Sequence, residues 1–411
     1  MPTPYTRLMS EHSSTDRAGT LGALALGTDL AQAAILGTVR DVHAAVGRRV
    51  LGVTDLVTGH RTAEHATHAG LSGAVYRGLG SGLGAVTNGL RRADSAGVGA
   101  RLEDSSRGRF VVSMLNGLFG DRIRESHPGL AITMAVRREG HDVALDTDSL
   151  CTAFPEATGD LVVFLHGLSE TESYWRRRAH ETGGSYGDRL ATEGWTPLFL
   201  RANSGLTLSE NGVELASLLD RLVAAWPVDV RRIALVGHSM GGLIMRSACA
   251  VVSDADVAWT SLVTDVVTLG TPHLGAPIAR VLTAGSSGLA LLPESAPFGR
   301  FLDHRSVGIT DLRTGLPDDV RNLPHARYHL VAATLTRSPR HPVAELAGDL
   351  LVRYPSAVGK ARRGREMFPG ADVLHVPGAD HFDLLNHDDV YAAIRGWLGD
   401  GRTDDRRQEP A

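Results

Sequence analysis

The stretch RRIALVGHSMGG, residues 231–242, decides the fold. It runs from apolar residues typical of a buried strand into a serine that glycines flank two positions before and two positions after. This spacing indicates a strand that turns directly into a helix, because so sharp a turn leaves no room for side chains at the flanking positions. Such a turn exposes the hydroxyl of Ser239 above the sheet edge, and Gly242 lets the helix pack closely. We therefore predict Ser239 as a nucleophile.

The sequence around this stretch alternates apolar runs with helical stretches. The runs are LVVFLHG (161–167), WTPLFLRAN (195–203), VTDVVTLGTPH (263–273), YHLVAATL (328–335) and DVLHVPG (372–378). Continuous apolar strands separated by helices predict an α/β fold with a mostly parallel central sheet and helices on both faces. Before them, LAITMAVRREGHDVALD (130–146) alternates apolar and polar residues around a turn, which predicts an antiparallel hairpin.

Two regions are predicted. Residues 1–110 are expected to form a helical N-terminal extension, because apolar residues recur at steps of three or four between about 28 and 92. Residues 111–411 are expected to form the α/β domain, with an insertion over 276–324. Its uncharged apolar stretch LTAGSSGLALLP (282–293) allows either a lid or a plain core helix. Glycines recur along the second predicted helix of the extension, and several interpretations stay open: packing against the domain or a second subunit, or reversible adsorption to a lipid or polymer surface.

A serine hydroxyl needs a base that a third group orients. We predict His381 as the base, because its glycine-containing loop follows the last predicted strand and returns over the sheet. Asp349 is the favoured acid, since it gives the chain order serine, aspartate, histidine; Asp380 and Asp383 are alternatives. His375 is expected to be structural within its strand. None of His325, His329 and His341 lies in a glycine-containing loop that follows a predicted strand in the way His381 does.

The same chemistry needs donors for an oxyanion. We expect the backbone amide of Met240, directly after the nucleophile, and that of Leu168, in the loop after LVVFLHG, to supply them. Three side chains are candidates for contact with a substrate: Tyr174, Trp175 and His238.

Five motifs together resemble the α/β-hydrolase superfamily, and within it bacterial lipases and esterases related to GPI inositol-deacylase-like proteins. They are LHG (165–167), GHSMGG (237–242), LGTPHLG (269–275), GDLLV (348–352) and GADHFDLLNH (378–387). The resemblance covers roughly residues 130–398. It implies that the matching Ser239, Asp349 and His381 form a catalytic triad, and that the segment after GTPHLGAP is a lid.

Composition narrows the partners. A net charge of −4 with scattered arginines argues against a nucleic-acid partner, which requires a clustered positive field. Two cysteines exclude a disulfide framework and a multi-cysteine zinc site, and the predicted chemistry requires no metal or other cofactor. The N-terminal residues lack a secretory pattern, so we expect a cytoplasmic protein, with peripheral contact to a membrane or lipid surface through the N-terminal helices.

The leading hypothesis is a serine carboxylic-ester hydrolase that acts on apolar acyl esters, from small molecules to lipids, through an acyl-enzyme. A short-chain esterase, a lipase and an intracellular polyester depolymerase share these motifs. An amidase or acyltransferase would use the same triad. From a different class, the chain would be chiefly a lipid- or polymer-surface-binding protein with a hydrolase-fold scaffold.

Overall fold

The computed structural model describes residues 102–252, 258–276, 306–317, 320–338, 349, 351–360 and 366–405. The chain divides into two compact units. The smaller unit is described over 102–112 and 122–131, and there it contains two 3-10 helices, Leu102–Asp104 and Pro128–Leu130. The larger unit contains every strand of the described chain.

The larger unit is built on one eight-stranded sheet with the order β2-β1-β4-β3-β5-β6-β7-β8. Neighbours from β4 to β8 run parallel, whereas β1 runs antiparallel to both β2 and β4. The strands are β1 Ala135–Arg138, β2 His141–Val143, β3 Asp160–Leu165, β4 Thr196–Arg201, β5 Arg232–His238, β6 Val263–Leu269, β7 Arg327–Thr334 and β8 Asp372–Pro377. This topology confirms the predicted mostly parallel sheet.

Strands β3 and β5 lie at the centre, and every one of their residues is buried. Their apolar runs are continuous because both faces of the sheet are covered. Leu161, Val163 and Leu165 of β3 belong to one apolar cluster, and Val162 and Phe164 belong to the other. Helices therefore pack on both sides of the sheet, as the sequence predicted.

Eight helices connect or flank the strands within the described residues. They are α1 Ser106–Ser126, α2 Thr147–Ala153, α3 Tyr186–Ala191, α4 Leu208–Ala225, α5 Met240–Cys249, α6 Val307–Thr314, α7 Tyr354–Ala357 and α8 Asp388–Asp405. Helix α4 begins with a capping box: the Thr207 hydroxyl accepts from the Glu210 amide, and the Glu210 carboxylate accepts from the Thr207 amide. Local sequence signals thus fix where this helix starts.

The predicted hairpin is present but shorter than its sequence pattern. Strands β1 and β2 pair at Arg138 and His141, and the turn between them places Glu139 and Gly140 at φ values of 51° and 82°. Positive φ at both central turn residues matches the twist of an antiparallel pair. The alternating sequence pattern extends beyond both strands, because Leu130 lies in a 3-10 helix and Asp146 caps α2.

Two predicted regions fall largely outside the described residues. Residues 1–101 of the N-terminal extension and residues 277–305 of the predicted lid are not described. Helix α6 belongs to the described end of the lid segment, and the Ser306 hydroxyl caps it by accepting from the Ile309 amide. Within the described residues, no helix combines the length and the apolar character that a membrane span requires.

Candidate active site

Ser239 lies in the turn between β5 and α5 with φ 51° and ψ −121°. A positive φ at a residue other than glycine is strained, and such strain concentrates at functional sites. A side chain at Gly241 would collide with the carbonyl oxygen of Leu165, at the end of β3. The glycine is therefore required for α5 to start so close to the sheet. Ser239 is 8% exposed, and its hydroxyl makes no hydrogen bond to any described residue.

His381 lies in the loop after β8 and bonds to Asp349. Its Nδ1 is 2.8 Å from Asp349 Oδ2, and its backbone amide donates to the Asp349 carbonyl at 3.1 Å. Because an ionised carboxylate only accepts hydrogen bonds, this contact assigns a proton to Nδ1 and leaves Nε2 as the ring nitrogen available to a substrate or nucleophile. Both side chains are buried. This arrangement orients a base for proton transfer.

The Asp349 carboxylate is itself held in place. Its Oδ1 accepts from the amides of Leu351 and Val352 at 3.0 and 2.7 Å. The alternative acids are engaged elsewhere. Asp380 Oδ1 accepts from the two amides that follow His381 in sequence, and Asp383 pairs with Arg178 at 3.0 Å. The structure thus brings Asp349 to the ring of His381.

The end of β6 connects the serine and histidine segments. The Ser239 amide donates to the Leu269 carbonyl at 2.8 Å. The next residue, Gly270, has φ 58°, and a methyl group built on it would lie 3.0 Å from His381 Nδ1. The ring of His238, which precedes Ser239, is 4.8 Å from the His381 ring. The segments that contain the nucleophile and base candidates therefore approach each other at the carboxyl edge of the sheet.

The two predicted oxyanion donors lie beside the serine segment. Met240 is the first residue of α5, and its amide has no acceptor within the described chain, nor does the amide of Leu168. The loop after β3 closes on the nucleophile, since a methyl group on Gly167 would lie 3.0 Å from Ser239 Cβ. A developing oxyanion requires donors without other acceptors, so the amides of Met240 and Leu168 stay the predicted oxyanion donors.

A buried carboxylate that sequence reasoning missed lies behind the serine. Glu170 and His238 are fully buried, and Glu170 Oε2 is 3.0 Å from His238 Nδ1 and 2.7 Å from the Gly167 amide nitrogen. Burial would raise the pKa of Glu170, but His238 and the Gly167 amide outweigh it, so that pKa is lowered. Burial would lower the pKa of His238, but Glu170 outweighs it, so that pKa is raised.

The three residues predicted to contact a substrate differ in position. Trp175 is 1% exposed and packs against Phe164, with ring centroids 4.9 Å apart. His238 has no exposed surface, so neither ring offers a face to a ligand in this structure. Tyr174 is half-buried, with its ring 6.4 Å from that of Phe382. The substrate contact of Tyr174 therefore stays a prediction, whereas Trp175 and His238 are buried in the protein.

The remaining histidines lie apart from this arrangement. His375 bonds to Thr334 within the sheet, and His329 bonds to two carboxylates, those of Asp265 and Asp372. His325 Nε2 lies 3.0 Å from the carbonyl oxygen of residue 260, and His341 is outside the described residues. Across the described ranges, no group of three His, Cys, Asp or Glu side chains is arranged to hold a metal ion.

The match to a protein family agrees with this fold. The sequence profile of the alpha/beta hydrolase family matches residues 162–394, more than half of the chain. A mature Bacillus licheniformis lipase is similar at 21% identity, covering 58% of this chain and 91% of its own, with a TM-score of 0.41. A Pyrococcus furiosus esterase is similar at 15% identity, covering 59% of this chain and 82% of its own, with a TM-score of 0.37. A Staphylococcus hyicus lipase is similar at 14% identity, covering 61% of this chain and 97% of its own, with a TM-score of 0.37. No curated protein matches the sequence.

Proposed function

Because the chain belongs to the alpha/beta hydrolase family, we propose that it is a serine carboxylic-ester hydrolase that uses Ser239, His381 and Asp349 as a catalytic triad. The observation that carries the proposal is the buried 2.8 Å bond from His381 Nδ1 to Asp349, beside a serine in a strained strand-to-helix turn. These three groups supply a nucleophile, a base and an orienting carboxylate.

Ser239 Oγ attacks the ester carbonyl carbon while His381 Nε2 takes the hydroxyl proton. The carbonyl oxygen becomes an oxyanion that accepts from the amides of Met240 and Leu168. Asp349 stabilises the imidazolium that forms. His381 then protonates the leaving alcohol, and the acyl group stays on Ser239 until water, activated by the same histidine, releases it as a carboxylic acid.

We expect the hydrogen bond between the Ser239 hydroxyl and His381 to form when substrate binds. Ser239 Oγ has no partner in the described chain, and serine–base hydrogen bonds often tighten only when substrate is bound. The free hydroxyl, together with two amides without acceptors, forms a site prepared for an incoming carbonyl.

The substrate is proposed to be an apolar acyl ester, either a small molecule or a lipid. Phe382 directly follows the proposed base His381, with ring centroids 5.5 Å apart, and the ring of Tyr174 lies 6.4 Å from that of Phe382. Aromatic faces favour an uncharged acyl or alcohol group by burying its apolar surface. Esterase, lipase and polyester depolymerase activities differ in the acyl length that this surface accepts.

The proposal is tested by hydrolysis of p-nitrophenyl esters from acetyl to palmitoyl. The full chain is expected to cleave at least one member, and Ser239→Ala is expected to lower kcat by at least about 10⁴-fold. Ser247→Ala, two turns further along α5, is the matched control and is expected to keep full activity. An inactive full chain, or an active Ser239→Ala variant, would overturn the proposal.

A further inference from the structure

The buried ring of His238 faces acceptors at both of its nitrogens. Nδ1 lies 3.0 Å from a Glu170 carboxylate oxygen, and Nε2 lies 3.2 Å from the backbone carbonyl oxygen of His381. An ionised carboxylate and a carbonyl only accept hydrogen bonds, and a neutral imidazole carries only one N–H. The Gly167 amide donates to this carboxylate and the pKa of Glu170 is lowered, so Glu170 is ionised. Beside an ionised Glu170, only an imidazolium, with a proton on each nitrogen, satisfies both contacts.

A second buried histidine nearby shows the opposite pattern. His166 Nδ1 lies 2.9 Å from the Gly167 carbonyl oxygen, but its Nε2 accepts from the Ala202 amide at 3.1 Å. One donor and one acceptor nitrogen define a neutral ring with its proton on Nδ1. Burial lowers the pKa of His166, in agreement with that state. The same reasoning therefore distinguishes two equally buried rings by their partners.

We propose that His238 is an imidazolium ion paired with Glu170, and that this pair positions two loops. They are the oxyanion loop, which follows β3 and contains Leu168, and the base loop, which follows β8 and contains His381. The charge state rests on these hydrogen bonds together with an ionised Glu170, whereas its effect on catalysis rests on the proposed ester hydrolysis.

The Glu170 end of the pair controls the oxyanion loop. Its carboxylate accepts from the Gly167 amide at 2.7 Å, and its backbone amide donates to the Gly167 carbonyl at 3.3 Å. The Ser113 hydroxyl donates to the Glu170 carbonyl. Leu168 lies inside this closed turn, so the direction of its amide depends on the carboxylate of Glu170.

The His238 end controls the base. Its Nε2 donates to the carbonyl of His381, while the amide of His381 donates to the Asp349 carbonyl. The backbone of His381 is thereby fixed on both sides, independently of its ring. Because His238 directly precedes Ser239 in the chain, the pair links the nucleophile to both loops. Hydrogen bonds run from Glu170 to the oxyanion loop and from His238 to the backbone of His381.

The surroundings of the pair contain few other charges. The charged groups that act on His238 are the carboxylates of Glu170 and Asp349, both of which favour the imidazolium. The ring of His381 and the edge of Trp175 complete its contacts, at 4.8 and 6.4 Å between centroids. On the other side, Glu170 faces the neutral His166.

The charge state is tested by NMR of the full chain labelled with ¹⁵N-histidine, at about pH 8, where an unperturbed histidine is neutral. We expect an imidazole with protons on both nitrogens whose signals are absent from the spectrum of His238→Gln; this variant distinguishes it from His329, which also faces acceptors at both nitrogens. A neutral tautomer at His238 would overturn the proposal. This readout does not depend on activity, so it decides the charge state even if no ester is cleaved.

The positioning role is tested with Glu170→Gln, which is nearly isosteric, and with Glu172→Gln as the matched control in the same loop. Misplacement of catalytic groups lowers kcat by up to about 100-fold, so we expect Glu170→Gln to lose about 10- to 100-fold in kcat with KM within about twofold. It should also convert His238 to a neutral ring. Glu172→Gln should change neither.

The double variant Glu170→Gln/His238→Gln tests whether the two residues act as one unit. Residues that act together show non-additive losses, so we expect the double variant to lose no more in kcat than the worse single variant. A multiplicative loss, or an unchanged kcat in Glu170→Gln, would overturn the positioning role. An inactive wild-type chain would instead refute the ester hydrolase proposal, with the NMR result standing separately.

Discussion

Replacement of Asn386 by alanine should destabilise the larger unit strongly. Asn386 is 1% exposed, and its side chain makes three short hydrogen bonds. Oδ1 accepts from the Tyr186 amide at 2.7 Å, and Nδ2 donates to the carbonyls of Trp175 and Arg177 at 2.8 and 2.7 Å. The residue therefore connects the loop that contains His381 to α3 and to the loop after β3.

The magnitude follows from these contacts. Three hydrogen bonds at about 1 kcal/mol each, and about 1 kcal/mol for holding alanine at the φ of 59° found at Asn386, give a loss of about 4 kcal/mol. A loss of that size lowers the melting temperature of a domain of this length by roughly 10 °C.

Thermal unfolding followed by circular dichroism measures the effect. Asn386→Gly is the matched variant, since it loses the same hydrogen bonds but accepts the positive φ without strain, and it should melt above Asn386→Ala. If the alanine variant melts within about 2 °C of the wild type, the three bonds do not hold these loops together and the reasoning is refuted.

Three further predictions concern the site. Asp349→Asn should lower kcat by roughly 10⁴-fold at nearly constant KM, because His381 loses its orienting acceptor, whereas Asp383→Asn should stay close to wild type in steady-state kinetics. Gly241→Ala should give little folded protein in a thermal-shift assay, because its methyl group collides with the end of β3. The lowered pKa of Glu170 and the raised pKa of His238 make each charge stabilising. Glu170 contributes above the ordinary glutamate pKa and loses that contribution as pH falls through its folded pKa. His238 contributes below the ordinary histidine pKa and loses that contribution as pH rises through its folded pKa. The melting temperature should therefore fall on both sides, and Glu170→Gln should flatten both declines.

Much of the sheet was readable from sequence because its signals are local. The continuous apolar runs of β3 and β5 predicted buried parallel strands, and the glycines around Ser239 predicted the strand-to-helix turn. The chain order serine, aspartate, histidine favoured Asp349 as the acid that orients His381. Residues that follow parallel strands meet at one edge of the sheet, so these distant positions come together there. The hairpin ends were wrong where a 3-10 helix and a helix cap interrupted the alternating pattern.

The Glu170–His238 pair could not be predicted from the sequence, because it depends on side-chain burial and on contact between residues that are distant in the chain. Glu170 and His238 are 68 positions apart. Glutamate in a polar run such as LSETES is typical of an exposed loop, so nothing local marked Glu170 as buried. Trp175 and His238 were predicted to contact substrate, whereas both side chains are buried, which sequence alone does not reveal.

The central claim is that Ser239 is an activated nucleophile, and covalent labelling tests it most directly. The full chain is treated with a fluorophosphonate, and the intact mass and labelled peptide are determined by mass spectrometry. The account predicts one adduct on Ser239, formed as rapidly in Ser247→Ala and absent in Ser239→Ala. No adduct on the native chain, or an adduct that persists in Ser239→Ala, would contradict it.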